Sequence, residues 1–453
     1  MLYAALLFRL FSVSAVDIQT PFELASAAAS QKYVIAHFIV GNTYPYTSND
    51  WNRDIALAAS KGIDAFALNV GRDPWQPSRV ADAYAAARSQ GSNFKLFLSF
   101  DMGSLSCASS GDATILRSYI TTYKDHPNQL LYNNRILVST FAGESCRFGA
   151  RTLNDGWNNA VKIGLPAVYF VPAFFMDPAT FPNLTVMDGA FNWNSGWPTG
   201  NSDINFDSDS TYLSKLGSRS YMAGVSPWFF TASRVSMDLH VRCSQHYGPE
   251  TYNKNFIYRG DGWLFAQRWE LLIQNRNSIN FSQVITWNDF GESHYLGEIH
   301  GAQPNSQAWV NGFDHQGWLD LLAYYIVAFK TGQYPAISRD RVFLWARLFP
   351  AQANAPLDKI GKPLNWQWTQ DRVWGIVLLK SPAQVILSCG TSSTSVALSS
   401  GLFKLQLPLI SACGVTTSIL RNNTSALSFS PLGFNFRTNP STYNFNAFVA
   451  ASP

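Results

Sequence analysis

An α/β fold, a (β/α)8 TIM barrel followed by a C-terminal β-sandwich, is what this sequence predicts. Three observations carry that expectation. Short apolar runs recur along the first two thirds of the chain. Stretches with helical spacing separate most of them. After the last run the pattern changes to alternating or β-branched segments punctuated by Ser, Thr, Gly and Pro.

The first run is Tyr33 to Val40. A helix follows on the spacing of Trp51, Ile55, Ala58 and Ala59, with a cap expected at Ser48/Asn49. Ile63 to Val70 is the second run, and Val80 to Ser89 reads as a helix closed by Gly91. Phe94 to Phe100 is the third, before a helix from Ile115 to Tyr123 closed by Pro127. The runs Arg135 to Phe141, Ala167 to Phe174, Val186 to Asn192 and Tyr221 to Trp228 continue the series, and the run at Val284 makes the eighth. Their span is close to the ~250 residues of a (β/α)8 barrel. An open doubly wound sheet would show a glycine-rich phosphate turn after its first strand, and Ile39-Val40-Gly41-Asn42-Thr43 is not one. Residues 30–335 are therefore assigned to the barrel, closed by an apolar helix from Trp318 to Lys330 that ends at Gly332 and Pro335. Residues 336–453 are assigned to the sandwich, with strands over Val373 to Leu379, Gln384 to Leu387, Val396 to Leu398 and Phe403 to Leu407.

Polar groups gather where these runs end. The segments are Asn69-Val70-Gly71-Arg72-Asp73, Ser99-Phe100-Asp101-Met102, Gly143-Glu144, Asp188-Gly189 with Asn192-Trp193-Asn194, and Asp289 with Glu292. Each alone suits a turn or a helix cap. Together they suit one mouth of a barrel, where the strand C-termini build the active site. The most telling segment is Val284-Ile285-Thr286-Trp287-Asn288-Asp289-Phe290-Gly291-Glu292-Ser293-His294-Tyr295. It sets two carboxylates three residues apart where a buried strand opens into a loop. Paired carboxyl groups are what glycosidic hydrolysis needs, and the spacing by itself fits either an inverting or a retaining separation. Asp289 and Glu292 are thus the candidate catalytic pair. Glu292 is expected to be the acid, its pKa raised by Trp287, Phe290 and Tyr295, and Asp289 the base, with the reverse a close second.

Composition narrows the partners. Lys and Arg number 33 against 29 Asp and Glu, with no basic run, which argues against nucleic acid. Tryptophan is frequent, 15 in all, and Trp75, Trp193, Trp197, Trp228 and Trp287 fall at or beyond strand ends. Flat apolar rings suit the C–H faces of sugars, although each taken alone serves core packing equally well. His37, Asn69, Asp73, Asp101 and His294 are candidates for gripping sugar hydroxyls, with Trp193, Trp228, Trp287 and Tyr295 as candidate sugar platforms. Cysteines and histidines lack metal-ligand spacing, so no metal and no cofactor are expected. Cys107 with Cys146 and Cys389 with Cys413 are candidate disulfides, leaving Cys243 over. Residues 1–15 resemble a signal peptide interrupted by Arg9 and lacking a basic start. Sequons at Asn183, Asn280, Asn422 and Asn423 fit a secreted glycoprotein, and no apolar run is long enough to span a membrane.

Several segments together resemble glycoside hydrolase family 71, the fungal α-1,3-glucanases or mutanases. They are Tyr33-Val34-Ile35-Ala36-His37-Phe38-Ile39-Val40-Gly41-Asn42, Gly62-Ile63-Asp64-Ala65-Phe66-Ala67-Leu68-Asn69, Phe97-Leu98-Ser99-Phe100-Asp101-Met102, Thr286-Trp287-Asn288-Asp289-Phe290-Gly291-Glu292-Ser293 and the closing Tyr443-Asn444-Phe445-Asn446-Ala447-Phe448-Val449-Ala450. The resemblance covers nearly the whole chain after the leader. It implies a (β/α)8 barrel with a β-sandwich, and endo-hydrolysis of cell-wall α-1,3-glucan with inversion; a secreted, wall-associated monomer acting on that polysaccharide is expected. Two other readings compete. One is an endo-acting α-glycosidase on another polymer such as an α-mannoside, and the other is a wall-binding protein without catalysis.

Overall fold

The computed structural model describes residues 31–91, 93–233, 254–303 and 305–453, which form one compact unit. The leader and Cys243 lie outside the described residues. Eight parallel strands form the body of a nine-stranded curled sheet, whose remaining short strand Leu131–Tyr132 pairs antiparallel with Arg135–Phe141: β1 (Tyr33–Ile39), β2 (Ala65–Val70), β3 (Lys95–Asp101), β4 (Arg135–Phe141), β5 (Val168–Ala173), β6 (Gly189–Asn192), β7 (Ser220–Val225) and β8 (Phe281–Val284). Every ladder among them is parallel, in the order β5-β4-β3-β2-β1-β8-β7-β6. Strands consecutive in sequence are neighbours in space, and the last pairs with the first. The edges β5 and β6 share no ladder. They are joined instead at Asp188, whose N–H donates to Phe170 O at 2.8 Å and whose Oδ2 accepts from Phe170 N at 2.8 Å.

Burial on both faces explains why these strands read as unbroken apolar runs. Phe38, Phe66, Leu68, Leu96 and Leu98 face outward into a core shared with the helices, while Ile35, Ala67, Phe97, Leu137, Tyr169 and Phe281 pack inside the curl. The helices on the outer face are α1 (Ser48–Ser60), α2 (Gln76–Ser89), α3 (Ala113–Tyr123), α4 (Leu153–Val161), α5 (Asp207–Leu216), α6 (Leu264–Gln274) and α7 (Gln316–Thr331). The cap of α1 is Thr47, one residue before the expected Ser48/Asn49. Asp50 N bonds to Thr47 Oγ1 while Asp50 Oδ2 accepts from Thr47 N, so the box of Thr and Asp fixes the start.

Two antiparallel sheets follow. β9 (Arg341–Ala346), β10 (Arg372–Leu379), β13 (Gly401–Pro408) and β16 (Phe448–Ala451) form one, in the order β13-β10-β9-β16. β11 (Ala383–Cys389), β12 (Ser392–Leu398), β14 (Val415–Arg421) and β15 (Thr424–Phe429) form the other, in the order β12-β11-β14-β15. The strand period of two sorts the first of these sheets onto two cores. Phe343, Trp345, Trp374 and Ile376 join the core of the curled sheet and helices. Val342, Leu344, Val373 and Val377 join Val385 and Leu387 of the second sheet. Helix α7 lies against β16 so closely that a Cβ at Gly317 would stand 2.9 Å from the Ala450 carbonyl carbon. Gly332, at φ 82°, ends that helix in the left-handed conformation a side chain would strain. Both expected disulfides form, Cys107–Cys146 with Cα atoms 5.2 Å apart and Cys389–Cys413 at 5.3 Å.

Candidate active site

Strand β8 starts at Phe281, three residues before the expected run, and ends at Val284, so the acidic segment is all loop beyond it. That loop is clamped through its backbone. Trp287 N donates to His37 O at 2.8 Å, and Asn288 brackets Ile39, accepting from its N–H at 2.7 Å and donating to its carbonyl at 3.0 Å. The turn folds back on itself through Thr286 N to His294 O at 2.8 Å. Thr286 Oγ1 also accepts the Asp289 N–H at 2.8 Å. The result holds Asp289, Glu292 and His294 together at the C-terminal end of β8, next to β1.

His294 sits between the carboxyl groups. Its Nε2 is 3.1 Å from Glu292 Oε2 and 3.9 Å from Asp289 Oδ2, and its Nδ1 is 3.2 Å from Thr286 Oγ1. Lys254 Nζ lies 3.4 Å from Glu292 Oε1. The imidazole is sealed from solvent, whereas the Asp289 and Glu292 side chains stay 23% and 26% exposed, so a ligand can reach them. One oxygen of each carboxyl and a nitrogen of His294 lie within 4.8 Å of one another, a grouping that could hold a cation. The Lys254 ammonium already brings positive charge to that spot.

The local field splits the pair. Burial, and then the charge of Glu292, raise the Asp289 carboxyl to about 6. Burial also opposes charge on Glu292, but the hydrogen bond and charge of His294, then Lys254, outweigh it and hold Glu292 below its ordinary value. This order is the reverse of the expected one, in which Glu292 was the acid. The flanking rings Trp287, Phe290 and Tyr295 do supply a dry wall, but His294 and Lys254 sit on the Glu292 side.

The inner face of the sheet supplies polar groups at the same end. By alternation from Ile35, Ala67, Phe97 and Phe281, the residues His37, Asn69, Ser99, Asp101 and Gln283 lie on that face. Gln283 Nε2 meets His37 Nδ1 at 2.8 Å. Burial, with the charge of His294 behind it, depresses His37 to about 3, so the ring is neutral and its Nε2 carries the proton when Gln283 donates to Nδ1. Burial raises Asp101 to about 6 against the N–H bonds of Gly103 and Ser104. Asn69 Nδ2, Ser99 Oγ and Gln283 Oε1 are buried with no hydrogen-bond partner among the described residues, as groups awaiting ligand hydroxyls or water would be. Trp193 packs edge-on to His37 at 4.9 Å and to Phe141 at 4.9 Å, beside the inner polar row.

Other expected contacts lie elsewhere. Trp228 is fully buried, donating Nε1–H to Phe445 O at 2.9 Å. Trp287 is fully buried against Phe66, and Tyr295 stacks on His315 at 4.1 Å with its hydroxyl turned to Phe313 O. These three brace the loop from behind, so their rings cannot serve as sugar platforms. Asp73 spends an oxygen on Gln76 Nε2 at 2.9 Å in the turn that opens α2. Asp188 stands at the start of β6, not at its C-terminal end, paired with Arg135 and Lys162 at 2.7 and 2.5 Å. The run expected from Val186 becomes a strand only at Gly189, which leaves Asp188 at the end of the sheet opposite the acidic pair. Lys254, Gln283 and Thr286 were missed. Gln283, a polar residue interrupting an apolar strand, carried a signal; Lys254 carried none.

The sequence matches glycosyl hydrolase family 71 over residues 30–453. The chain belongs to that family. It is a glycoside hydrolase, and the match includes the segment that bears Asp289 and Glu292. A glucan endo-1,3-alpha-glucosidase of Schizosaccharomyces pombe is 38% identical over 435 residues, covering 94% of this chain and 96% of that protein. The ascus wall endo-1,3-alpha-glucanase of the same organism is 31% identical, covering 93% and 97%. A mutanase of Penicillium rubens is 31% identical, covering 94% and 90%.

Proposed function

We propose that this family 71 hydrolase cleaves internal α-1,3-glucosidic bonds of cell-wall α-1,3-glucan, with Asp289 and Glu292 as its acid and base. The observation that carries the reading is the pair itself: two partly exposed carboxyl groups of divided proton affinity, bridged by His294 at the mouth of a polar-lined curl. The three relatives, each named for α-1,3-glucan or mutan cleavage, support the substrate. We take the β5 and β6 edges, tied at Asp188, as the seam of a closed (β/α)8 barrel. Residues 30–335 then carry catalysis and residues 336–453 support it. The enzyme acts as a monomer outside the cell, at the wall. The two disulfides suit an oxidising compartment, and no helix among the described residues is long and apolar enough to cross a membrane.

In this reading Asp289, kept protonated by burial, gives its proton to the departing glucosidic oxygen. Glu292, kept ionised by His294 and Lys254, takes a proton from the attacking water. His37, Asn69 and Asp101 hold sugar hydroxyls, and Trp193 meets a ring face. Inversion at the anomeric carbon is the outcome the family resemblance supports. The nearest carboxyl oxygens stand within 4.8 Å, tighter than the roughly 6.5–9.5 Å between groups that flank a water in inverting enzymes. A pair this close also fits the ~5–5.5 Å of retaining enzymes, so the anomer released first decides between the two outcomes.

The test is reducing-sugar release from insoluble α-1,3-glucan beside a panel of other α-linked polymers, α-mannan included. Cleavage of the mannan alone would overturn the substrate, and cleavage of none would leave a wall-binding protein. Proton NMR of fresh product should show the β-anomer first; initial α-anomer would overturn inversion. Substrates with a good leaving group, which need no acid, should rescue Asp289→Asn but not Glu292→Gln, and the opposite rescue would exchange the roles. Deleting everything after Pro335 should give insoluble protein, because Phe343, Trp345 and Trp374 cover apolar surface of the first core.

A further inference from the structure

A second cavity, of about 250 Å³, opens where the start of α6 meets β10 and β13. Trp263, Trp374, Gln267, Gln406, Asp203 and Arg259 are among its lining residues. Trp263 is half-buried and packs edge-on against Trp374 at 4.8 Å. The charged groups here are already paired. Arg259 binds Asp203 at 2.6 Å and Asn201 at 2.9 Å, and the buried Asp261 is held by Trp374 Nε1 at 2.7 Å and Arg347 at 3.2 Å. By contrast, the side-chain amides of Gln267 and Gln406 hydrogen-bond to nothing among the described residues. What the cavity offers a ligand is therefore an indole surface and two planar amides, each able to donate and accept, with no free charge. That is the chemistry of a neutral polyol ring, not of an ion. Its volume is below the ~300–1,000 Å³ of sites for drug-sized ligands, and so suits a single sugar unit or a chain end.

Two chain segments connect this cavity to the catalytic pair. Trp197, whose ring lies 5.7 Å from that of His294, leads within six residues to Asp203. Lys254, beside Glu292, leads through Tyr258, which packs on Trp197 at 5.5 Å, to Arg259 and Trp263. Both segments line the cavity at one end and border the acidic cluster at the other.

We propose that the Trp263–Gln267–Gln406 cavity is an accessory binding site for a neutral glucosyl unit, which anchors insoluble polymer beside the cleft and takes no part in bond cleavage. The substrate class rests on the function proposed above. An anchor of this kind matters for a solid substrate, where each turnover begins by capturing a chain from a surface. It should matter little for an oligosaccharide short enough to occupy the cleft alone.

The experiment compares the full-length enzyme with Gln267→Ala/Gln406→Ala and with Gln406→Ala alone. The second variant alters an exposed, unbonded side chain and leaves the fold intact. Adsorption is measured on insoluble α-1,3-glucan in an Asp289→Asn background, and turnover on both the polymer and a short soluble α-1,3-oligosaccharide. Losing the hydrogen bonds of two neutral amides should weaken adsorption and polymer turnover about tenfold, with the single variant part-way and oligosaccharide turnover unchanged. Equal losses on polymer and oligosaccharide would reduce the two glutamines to structural parts. Unchanged adsorption in both variants would remove the site outright. Should the wild type cleave a different α-linked polymer, the substrate reading falls alone, and the same ratio measured on that polymer still decides the cavity.

Discussion

Two histidines six residues apart each sit among carboxylates, and only one of the two clusters looks built for chemistry. His294 lies between Asp289 and Glu292. His300 lies between Asp54, 2.9 Å away, and Asp50 and Glu298 at 3.7 and 3.8 Å. The second cluster has its acids spoken for. Asp54 has no exposure and accepts from Tyr46 Oη at 3.1 Å as well as from His300. Asp50 is committed to the Thr47 cap, and Glu298 pairs with Arg53. Around His294 the Asp289 Oδ2 makes no hydrogen bond among the described residues, with His294 Nε2 3.9 Å away, and the two acids have divided proton affinities. Carboxylates beside a histidine are therefore not a site in themselves; what separates the two is which acids still have something left to bind.

The largest effect that could break this contrast is on turnover. Asp289→Asn and Glu292→Gln should each cut kcat on the polymer by about 10²–10⁴-fold while binding persists. Asp54→Asn, an equally small change in the other cluster, should leave kcat within severalfold. Steady-state kinetics on the three purified variants decides it. Near-normal rates in either of the first two, or a collapse in the third, would erase the distinction.

Stability should run the other way. Asp54→Ala leaves the Tyr46 hydroxyl and the buried His300 without their acceptor, a loss of about 1–3 kcal/mol that lowers the melting temperature. Asp289→Ala removes one of two mutually repelling acids and should leave the melting temperature unchanged or higher, as often holds where a site is built for function. A melting temperature lowered more by Asp289→Ala than by Asp54→Ala would mean the catalytic pair also holds the fold together.

The sequence could not have told these clusters apart, and the reason is general to this fold. Strand order was readable because fully buried parallel strands are apolar throughout. The same uniformity hid where each strand begins and which face each residue takes. Hence Asp188 was placed at the wrong end of β6, and Trp228 and Trp287 were offered as platforms although both are packed away. The acidic segment was legible because its carboxylates interrupt an apolar pattern within a dozen residues. Lys254, which reaches Glu292 from nearly forty residues earlier in the chain, has no such local mark. The split in proton affinity depends on that distant ammonium and on the side of the pair His294 approaches. For that reason the pair was legible, while the expected roles, Glu292 as acid and Asp289 as base, run against the order of proton affinity the structure shows.

The smallest expected effect sharpens the contrast most, because it reads the cluster's field directly. Activity in the proposed mechanism needs Glu292 ionised and Asp289 protonated. A proton held by Asp289 is fully present below the ordinary carboxylate range and is lost as pH rises through about 6, so kcat/KM should fall on that alkaline limb. Glu292 is held below its ordinary value, so the acid limb lies lower still. Lys254 favours the ionised form of both groups, hence Lys254→Met should move both limbs to higher pH together. The rate at a fixed pH on either limb should change by about two- to fivefold, the scale of one partly exposed charge. Arg53→Met, which removes a cation from the His300 cluster, should leave the profile where it was. Limbs moving in opposite directions in Lys254→Met, or an alkaline limb well above neutrality in the wild type, would show that some group other than the Asp289–Glu292 pair sets the rate.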